Sequence, residues 1–340
     1  MVIGYYVHHQ GKGHLTRARV LSAQLRRRGH RVVLLGSGLG SGEGVLLPQD
    51  NDDTGAFEDP AAGGALHWAP LRHQGYTGRM QALAAWVTVN RPEVVVVDVS
   101  AEVVVFLRLL GVATVLVVQP GERADDAHTL AFRCATAILA PWPQEARPCP
   151  AIEPFAAKVT YVGGVSGARL APSSRTVGVV LGGQGGAEDG AVIDQVRDQV
   201  PQLQWVQAGP GHWVPDVGAL LSTAQVVVTH CGQNAIADIA ATKVPTVLAP
   251  QARPHREQVY LGAELARLGF GVAAPTGMAT PQRSLTLTRP PTATASSPGG
   301  ALDWSAAVDA AVARPGQWER WGTESAPERA AGLIEDVAHG

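Results

Sequence analysis

Two short segments of the 340-residue chain concentrate the residue types that handle anions and protons. One is His230-Cys231-Gly232-Gln233-Asn234, set between an apolar run at 226–229 and a helical pattern. A strand that ends at a helix N-terminus presents unpaired backbone N–H groups and the positive end of a helix dipole, which together favour an anion. Gly232 lets the backbone approach closely, and His230 and Asn234 add side-chain donors suited to a diphosphate. Asp238, four residues beyond Asn234 on the same helix, can accept from a ribose hydroxyl. Gln184, flanked by Gly182-Gly183 and Gly185-Gly186 after the run 176–181, is placed to close over the phosphates from a second loop.

The other segment is His8-His9-Gln10-Gly11-Lys12-Gly13-His14, between the run 2–7 and the first helix. As a dinucleotide fingerprint it fails on detail. Thr16 stands at the third glycine of G-x-G-x-x-G, and the next strand, 31–35, ends in Gly36-Ser37 with no acid for a ribose.

The elements that must carry these segments follow from patterning. Valine-rich runs of strand length recur at 2–7, 31–35, 94–97 and 113–118. Continuous apolar runs are what strands buried on both faces require, so the sheet is parallel and the class α/β. The first crossover helix is predicted over 15–28, with Leu21 and Leu25 facing the sheet and Gly29 as its stop. The same grammar restarts at 176–181 and continues with strands at 203–207, 225–229 and 246–248 and helices from Ala187, at 233–242 and at 256–268. Two Rossmann-like domains are therefore expected, 1–170 and 171–340, with a last first-domain strand at 159–162 and a linker at 163–174. The stretch 275–300, rich in Pro, Ser, Thr and Gly, reads as a mobile loop. Helical patterns resume at 304–313 and 327–338, long enough to pack back toward the first domain.

Composition narrows the partners. A formal net charge of −2 gives no reason to expect nucleic acid. Three irregularly spaced cysteines form neither a disulfide framework nor a zinc motif, which fits a reducing compartment and a cytoplasmic location. The chain starts directly in a strand pattern rather than in a signal-peptide pattern. The apolar stretch 94–118 is interrupted by Asp98, Glu102, Arg108 and Gly111 and reads as strand, helix, strand rather than as a membrane span. Arg26-Arg27-Arg28 reads as a solvated helix end, with a peripheral contact at the inner face of the membrane as the alternative.

From His230 to Gln258 the sequence resembles the donor-binding signature of sugar-nucleotide-dependent glycosyltransferases of the GT-B fold, in particular family 28, which includes the N-acetylglucosaminyltransferase of the peptidoglycan lipid precursor. The residues that match are His230, Gly232, Asn234, Asp238, Val244-Pro245, Pro250 and Glu257-Gln258. The resemblance implies that His230, Gly232 and Asn234, with Gln233 among them and with Gly13, Gly183 and Gln184 from the other loops, lie at the donor diphosphate and that Asp238 takes the ribose. It also implies that Glu257 and Gln258 contact the donor sugar, and that Trp213-Val214-Pro215-Asp216 falls where such proteins hold a uracil ring. For Trp213 a packed surface aromatic is the competing reading. Asp238 stands where that family usually has Glu, and Ala235 where it often has Ser.

In the first half, Gly13-His14 matches a Gly-His at the start of the first GT-B helix, and Gly29-His30 resembles that helix's common end. Inverting transfer needs a base for the acceptor hydroxyl, and an imidazole suits that task near neutral pH. By resemblance Asp98 orients His14; a structural helix-start role is the alternative for His14, His8 and His9 are rival bases, and Lys12 could meet the diphosphate. The resemblance thus implies a metal-independent inverting transferase without a cofactor, moving a hexose or N-acetylhexosamine from a nucleoside diphosphate sugar, UDP preferred. The acceptor hydroxyl belongs to a lipid-linked molecule, a glycan or a small molecule, held by loops 36–66 and 119–129. Two rivals share the scaffold, a non-catalytic sugar-nucleotide-binding subunit and a sugar-nucleotide 2-epimerase. Asp52-Asp53 and Asp125-Asp126 read as loop acids.

Overall fold

The computed structural model describes residues 1–9, 12–50, 57–171, 173–183, 187–275 and 303–340. Beyond Pro275 the loop expected at 275–300 lies outside these residues, as do Gln184 and Asp52-Asp53. The first half runs β1 (Val2–Tyr6), α1 (Lys12–Arg27), β2 (Arg31–Gly36), β3 (Gly44–Leu46), α2 (Gln74–Asn90), β4 (Val94–Asp98), α3 (Ala101–Leu109), β5 (Ala113–Val117), α4 (Asp126–Cys134), β6 (Ala137–Ala140) and β7 (Val159–Tyr161). The second runs β8 (Val177–Leu181), α5 (Ala187–Gln199), β9 (Gln204–Ala208), α6 (Val217–Thr223), β10 (Ala224–Thr229), α7 (Gln233–Thr242), β11 (Thr246–Leu248), α8 (Glu257–Arg267), β12 (Val272–Ala273), α9 (Trp304–Ala313) and α10 (Ala326–His339).

The strands form two sheets, ordered β3-β2-β1-β4-β5-β6-β7 and β12-β11-β10-β8-β9, and every pairing between named strands is parallel. Strand order reverses beside β1 in the first sheet and beside β8 in the second. The carboxyl edges at β1/β4 and β8/β10 are therefore the crevices where open α/β sheets hold ligands.

Alternate strand residues feed separate apolar layers, as a period of two requires. In the first sheet Val94 and Val96 face α1 and the C-terminal α10, whereas Val95 and Val97 face α2, α3 and α4. In the second, Val226 and Val228 face α5 and α9, whereas Val227 faces the α6, α7 and α8 side. The inner layers of both halves join in one apolar cluster that also takes in Phe270, Trp318 and Trp321. The chain crosses back beside its first crossing: Gly163 and Gly322, both with left-handed backbone, meet so closely that a Cβ on Gly163 would lie 2.6 Å from the Gly322 carbonyl oxygen.

Several details depart from the expectations. The first helix begins at Lys12 instead of 15. The segment 74–90 is a helix, α2, whose only conventional boundary signal is Pro92 just beyond its end. Its N-cap is the unusual His73, which accepts from the Tyr76 N–H, and Gly75 lies where a Cβ would be 1.9 Å from the Gln49 carbonyl oxygen. Asp125 is the N-cap of α4 and Asp126 its first residue, so this pair belongs to a helix start rather than to a loop. Arg28 and His30 both bind Glu335 of α10, at 2.5 and 2.6 Å, which ties the basic helix end to the C-terminal helix. Among the described residues no helix is long and apolar enough to cross a membrane.

Ile334, fully buried, seats α10 on the first sheet. Ile334→Ala is expected to destabilise the fold by about 2–5 kcal/mol, the usual cost of a deleted core side chain plus its cavity. Urea unfolding followed by circular dichroism reads this; a change within about 0.5 kcal/mol would mean that α10 contributes little to the packing.

Candidate active site

The first-half site is built at the carboxyl ends of β1 and β4. Asp98 closes β4 with no solvent exposure. It takes a two-pronged bond from Arg17, Nε to Oδ2 at 3.0 Å and Nη2 to Oδ1 at 2.7 Å. His14 Nδ1 reaches the same Oδ1 at 2.8 Å. Burial pushes the Asp98 carboxyl up, but the Arg17 guanidinium and then His14 override it and hold the group well below the usual carboxylate range. An ionised carboxylate only accepts, so the His14 Nδ1–H donates to it. Arg17 lies one turn from His14 on α1, the i, i+3 spacing that puts two side chains on one helix face.

Arg17 was not anticipated from the sequence, where an arginine in a helix pattern has no special signal. Its third nitrogen decides its importance: Nη1 donates to Gln233 Oε1 of α7 at 2.8 Å, across the two halves. Beside it, a Cβ on Gly13 would lie 2.0 Å from Asn234 Nδ2, so a side chain at 13 would displace the Asn234 amide.

The rival bases also gather here. His8 stacks on His9 at 4.7 Å between ring centres and meets His14 edge-on at 5.5 Å. Burial, with smaller contributions from the neighbouring histidines, brings His8 down to about 3. A group that binds a proton so weakly is a poor general base at neutral pH.

The second-half site sits at the ends of β8 and β10. His230 donates Nδ1–H to the Leu181 carbonyl at 2.9 Å, since a carbonyl can only accept. Glycines flank its ring: a Cβ on Gly232 would lie 2.4 Å from His230 Nε2, and one on Gly183 3.0 Å from Cδ2. Gly232 is the N-cap of α7 and supplies no side-chain bond to its first turn, whose N–H groups have no partner within the helix. The residue after each strand-end polar group, Val99 after Asp98 and Cys231 after His230, has left-handed backbone at φ 64° and 63°. Such a conformation is costly for a β-branched or bulky residue and collects where tight turns aim side chains.

The remaining predicted residues are placed as follows. Asp238 Oδ1 accepts from Ser166 Oγ at 2.5 Å, and burial pushes its carboxyl up to about 6, with Ser166 opposing. Trp213 is 64% exposed on the turn after β9, where Gly209 and His212 pair; Val214 beside it packs on the inner apolar cluster. Glu257 opens α8 and accepts from Arg123 Nη2 of the first half at 3.3 Å. Gln258 is buried, and its Oε1 accepts from the Gln251 N–H at 3.1 Å, so this oxygen shapes the preceding loop.

No family model and no curated protein sequence matches the chain. Solved structures do match over nearly its whole length. The glycotransferase of kitacinnamycin is 18% identical with a TM-score of 0.64, covering 99% of this chain and 98% of that one. MurG of Acinetobacter baumannii is 12% identical with a TM-score of 0.60, covering 98% and 99%. The spinosyn rhamnosyltransferase SpnG is 16% identical with a TM-score of 0.59, covering 100% of both chains, and has also been solved with spinosyn aglycone and with thymidine diphosphate. Two parallel Rossmann-like sheets facing each other across a cleft define the class: the fold is GT-B, the fold of these glycosyltransferases.

Two outcomes test the geometry. Removing Arg17 leaves the buried Asp98 charge uncompensated, so Arg17→Ala is expected to cost about 3–5 kcal/mol. Denaturant unfolding with and without Asp98→Asn in the same chain checks it, because the second change removes the stranded charge and should recover part of the loss. For Asp238, the folded chain binds its proton more tightly than the unfolded chain does. This group therefore favours folding below the ordinary carboxylate range, and that contribution is lost as pH rises through about 6. Asp238→Asn should thus raise Tm relative to the parent at pH 8 and gain less at pH 5; an equal gap at both values would refute the assignment.

Proposed function

We propose that the chain is an inverting glycosyltransferase that moves a hexose or N-acetylhexosamine from a nucleoside diphosphate sugar to an acceptor hydroxyl in the cleft between its halves. The division proposed is 1–170 for the acceptor side and 171–340 for the donor side. The observation that carries the reading is the meeting of His14, Arg17 and Asp98 with the opening of α7, through Arg17–Gln233 and Gly13–Asn234.

In the proposed reaction His14 Nε2 takes the acceptor proton while the hydroxyl oxygen bonds to the anomeric carbon. The bond from that carbon to the diphosphate oxygen breaks on the opposite face, and the diphosphate leaves with the electron pair. Asp98 positions the imidazole and stabilises the imidazolium, as a carboxylate does for a catalytic histidine in general. The departing charge falls to the first-turn N–H groups of α7 and Asn234, with His230 contributing as an imidazolium that donates Nε2–H, so the proposed stabilisation comes from a helix end and is metal-independent. Gly183, Gly232 and Gln233 shape that site; Trp213, Val214 and Asp238 take the nucleoside, and Glu257 and Gln258 the sugar. The resemblance favours UDP, whereas the thymidine diphosphate complex of SpnG makes a thymidine donor equally worth testing. Its aglycone complex supports a small-molecule acceptor.

The bond from Ser166 to Asp238 favours a second reading, a sugar-nucleotide-binding subunit whose turnover needs a partner, because it takes one ribose-facing oxygen out of use. A thermal-shift screen of UDP- and dTDP-sugars followed by transfer assays separates the two. The transferase reading expects a donor-induced rise in Tm and turnover alone, with His14→Ala lowering turnover about 10²–10⁴-fold while the donor shift persists. Normal turnover in His14→Ala would sink the base assignment, and no shift with any donor would sink the donor site.

A further inference from the structure

A second polar cluster contains none of the catalytic or donor-binding residues named above. His67 precedes α2, Asp125 caps α4, His128 stands in its first turn, and His255 comes from the turn before α8 in the second half. One ring nitrogen of each of the three histidines lies within 4.8 Å of the others. His67 Nε2 is 3.1 Å from His128 Nδ1 and 3.0 Å from Asp125 Oδ1. His128 Nδ1 is 2.6 Å from Asp125 Oδ2, and His255 Nδ1 3.9 Å from that oxygen. A tetrahedral ion with bonds of ~2.0–2.1 Å holds its ligand atoms roughly 3.3 Å apart, and these separations bracket that value.

We propose that His67, Asp125, His128 and His255 form a divalent transition-metal site, suited to Zn²⁺ or Co²⁺, that clasps the two halves of the chain. Three imidazoles and one carboxylate are the donor set that selects such an ion over Mg²⁺ or Ca²⁺. Supporting groups are in place. Glu102 Oε1 accepts from the backbone N–H of His67 at 2.7 Å and lies 3.6 Å from its Nδ1, which places a carboxylate beside the ring nitrogen that faces away from the cluster. His255 is held from the first half by the Glu122 N–H, which donates to the His255 carbonyl at 2.7 Å; His255 Nδ1 donates to the Glu122 carbonyl at 3.0 Å, a contact that an ion on Nδ1 would replace as the ring proton moves to Nε2. His255 and Arg256 both have left-handed backbone, at φ 55° and 52°, a conformation that costs energy and here aims His255 across the junction.

Without an ion, Arg123 Nη1 donates to His128 Nε2 at 3.2 Å, and Nδ1 carries the proton toward Asp125. An ion on Nδ1 requires that proton to move to Nε2 and the Arg123 contact to break. Arg123 keeps its bonds to the Pro120 carbonyl, Gln119 and Glu257.

The full-length chain, stripped with a chelator and dialysed, is titrated with Co²⁺ and then Zn²⁺. Expected are visible absorption bands of tetrahedral Co²⁺ saturating at one ion per chain, their loss on adding Zn²⁺, and a rise in Tm with Zn²⁺. His255→Ala and His67→Gln should each weaken binding at least tenfold and abolish the Tm rise, whereas His339→Ala, at the exposed C-terminal end, should change neither. No Co²⁺ spectrum at a hundred micromolar ion would overturn the proposal, and so would an unchanged spectrum in His255→Ala. If His67→Gln fails to fold, Asp125→Asn replaces it under the same criteria.

Discussion

The buried guanidinium of Arg17 is the interaction on which the junction of the two sheets depends. A planar fork can satisfy a carboxylate with two nitrogens and still offer a third, and Arg17 uses all of this geometry, two bonds to Asp98 and one to Gln233. A buried charge pair of this kind adds little net stability, because desolvation offsets most of its attraction. Its effect is specificity of arrangement. Asp98 is held ionised, the imidazole of His14 is fixed by an acceptor that cannot rotate away, and α7 is brought against α1 at one register.

Around that point the two halves repeat one device. In each, a valine-rich strand leads to a polar residue, the next residue turns in left-handed backbone, and a helix begins: Asp98, Val99 and Ser100 in one half, His230, Cys231 and Gly232 in the other. The caps differ. Ser100 satisfies the first turn of α3 with its own oxygen, whereas Gly232 brings no side chain to the first turn of α7.

A second set of contacts runs along the junction from Arg123–Glu257 to the Glu122–His255 pair and the histidine cluster beside it. Together with the continuous inner apolar cluster and the return of α10 to the first sheet, these contacts make the halves interdependent. Motion between them must break polar contacts at specific residues rather than slide over a greasy surface.

The sequence by itself determined the elements whose signal is local. Unbroken valine runs demanded parallel strands, and the strand–glycine–helix grammar located both crevices, because these patterns depend on burial over a few residues. It also placed His14 at the start of the first helix, Asp98 at the end of a strand and His230 to Asn234 between a strand and a helix. It did not reveal α2, whose start relies on a histidine cap and on glycines needed for contacts with residues far away in the chain. Only the tertiary structure decided the partners of long polar side chains: Arg17 with Gln233, Asp238 with Ser166, Gln258 with the Gln251 backbone, and His255 with His67 and His128. A long side chain on a helix has many reachable partners, and which one it meets is set by the docking of two sheets, information spread over the whole core and held in no single stretch of sequence.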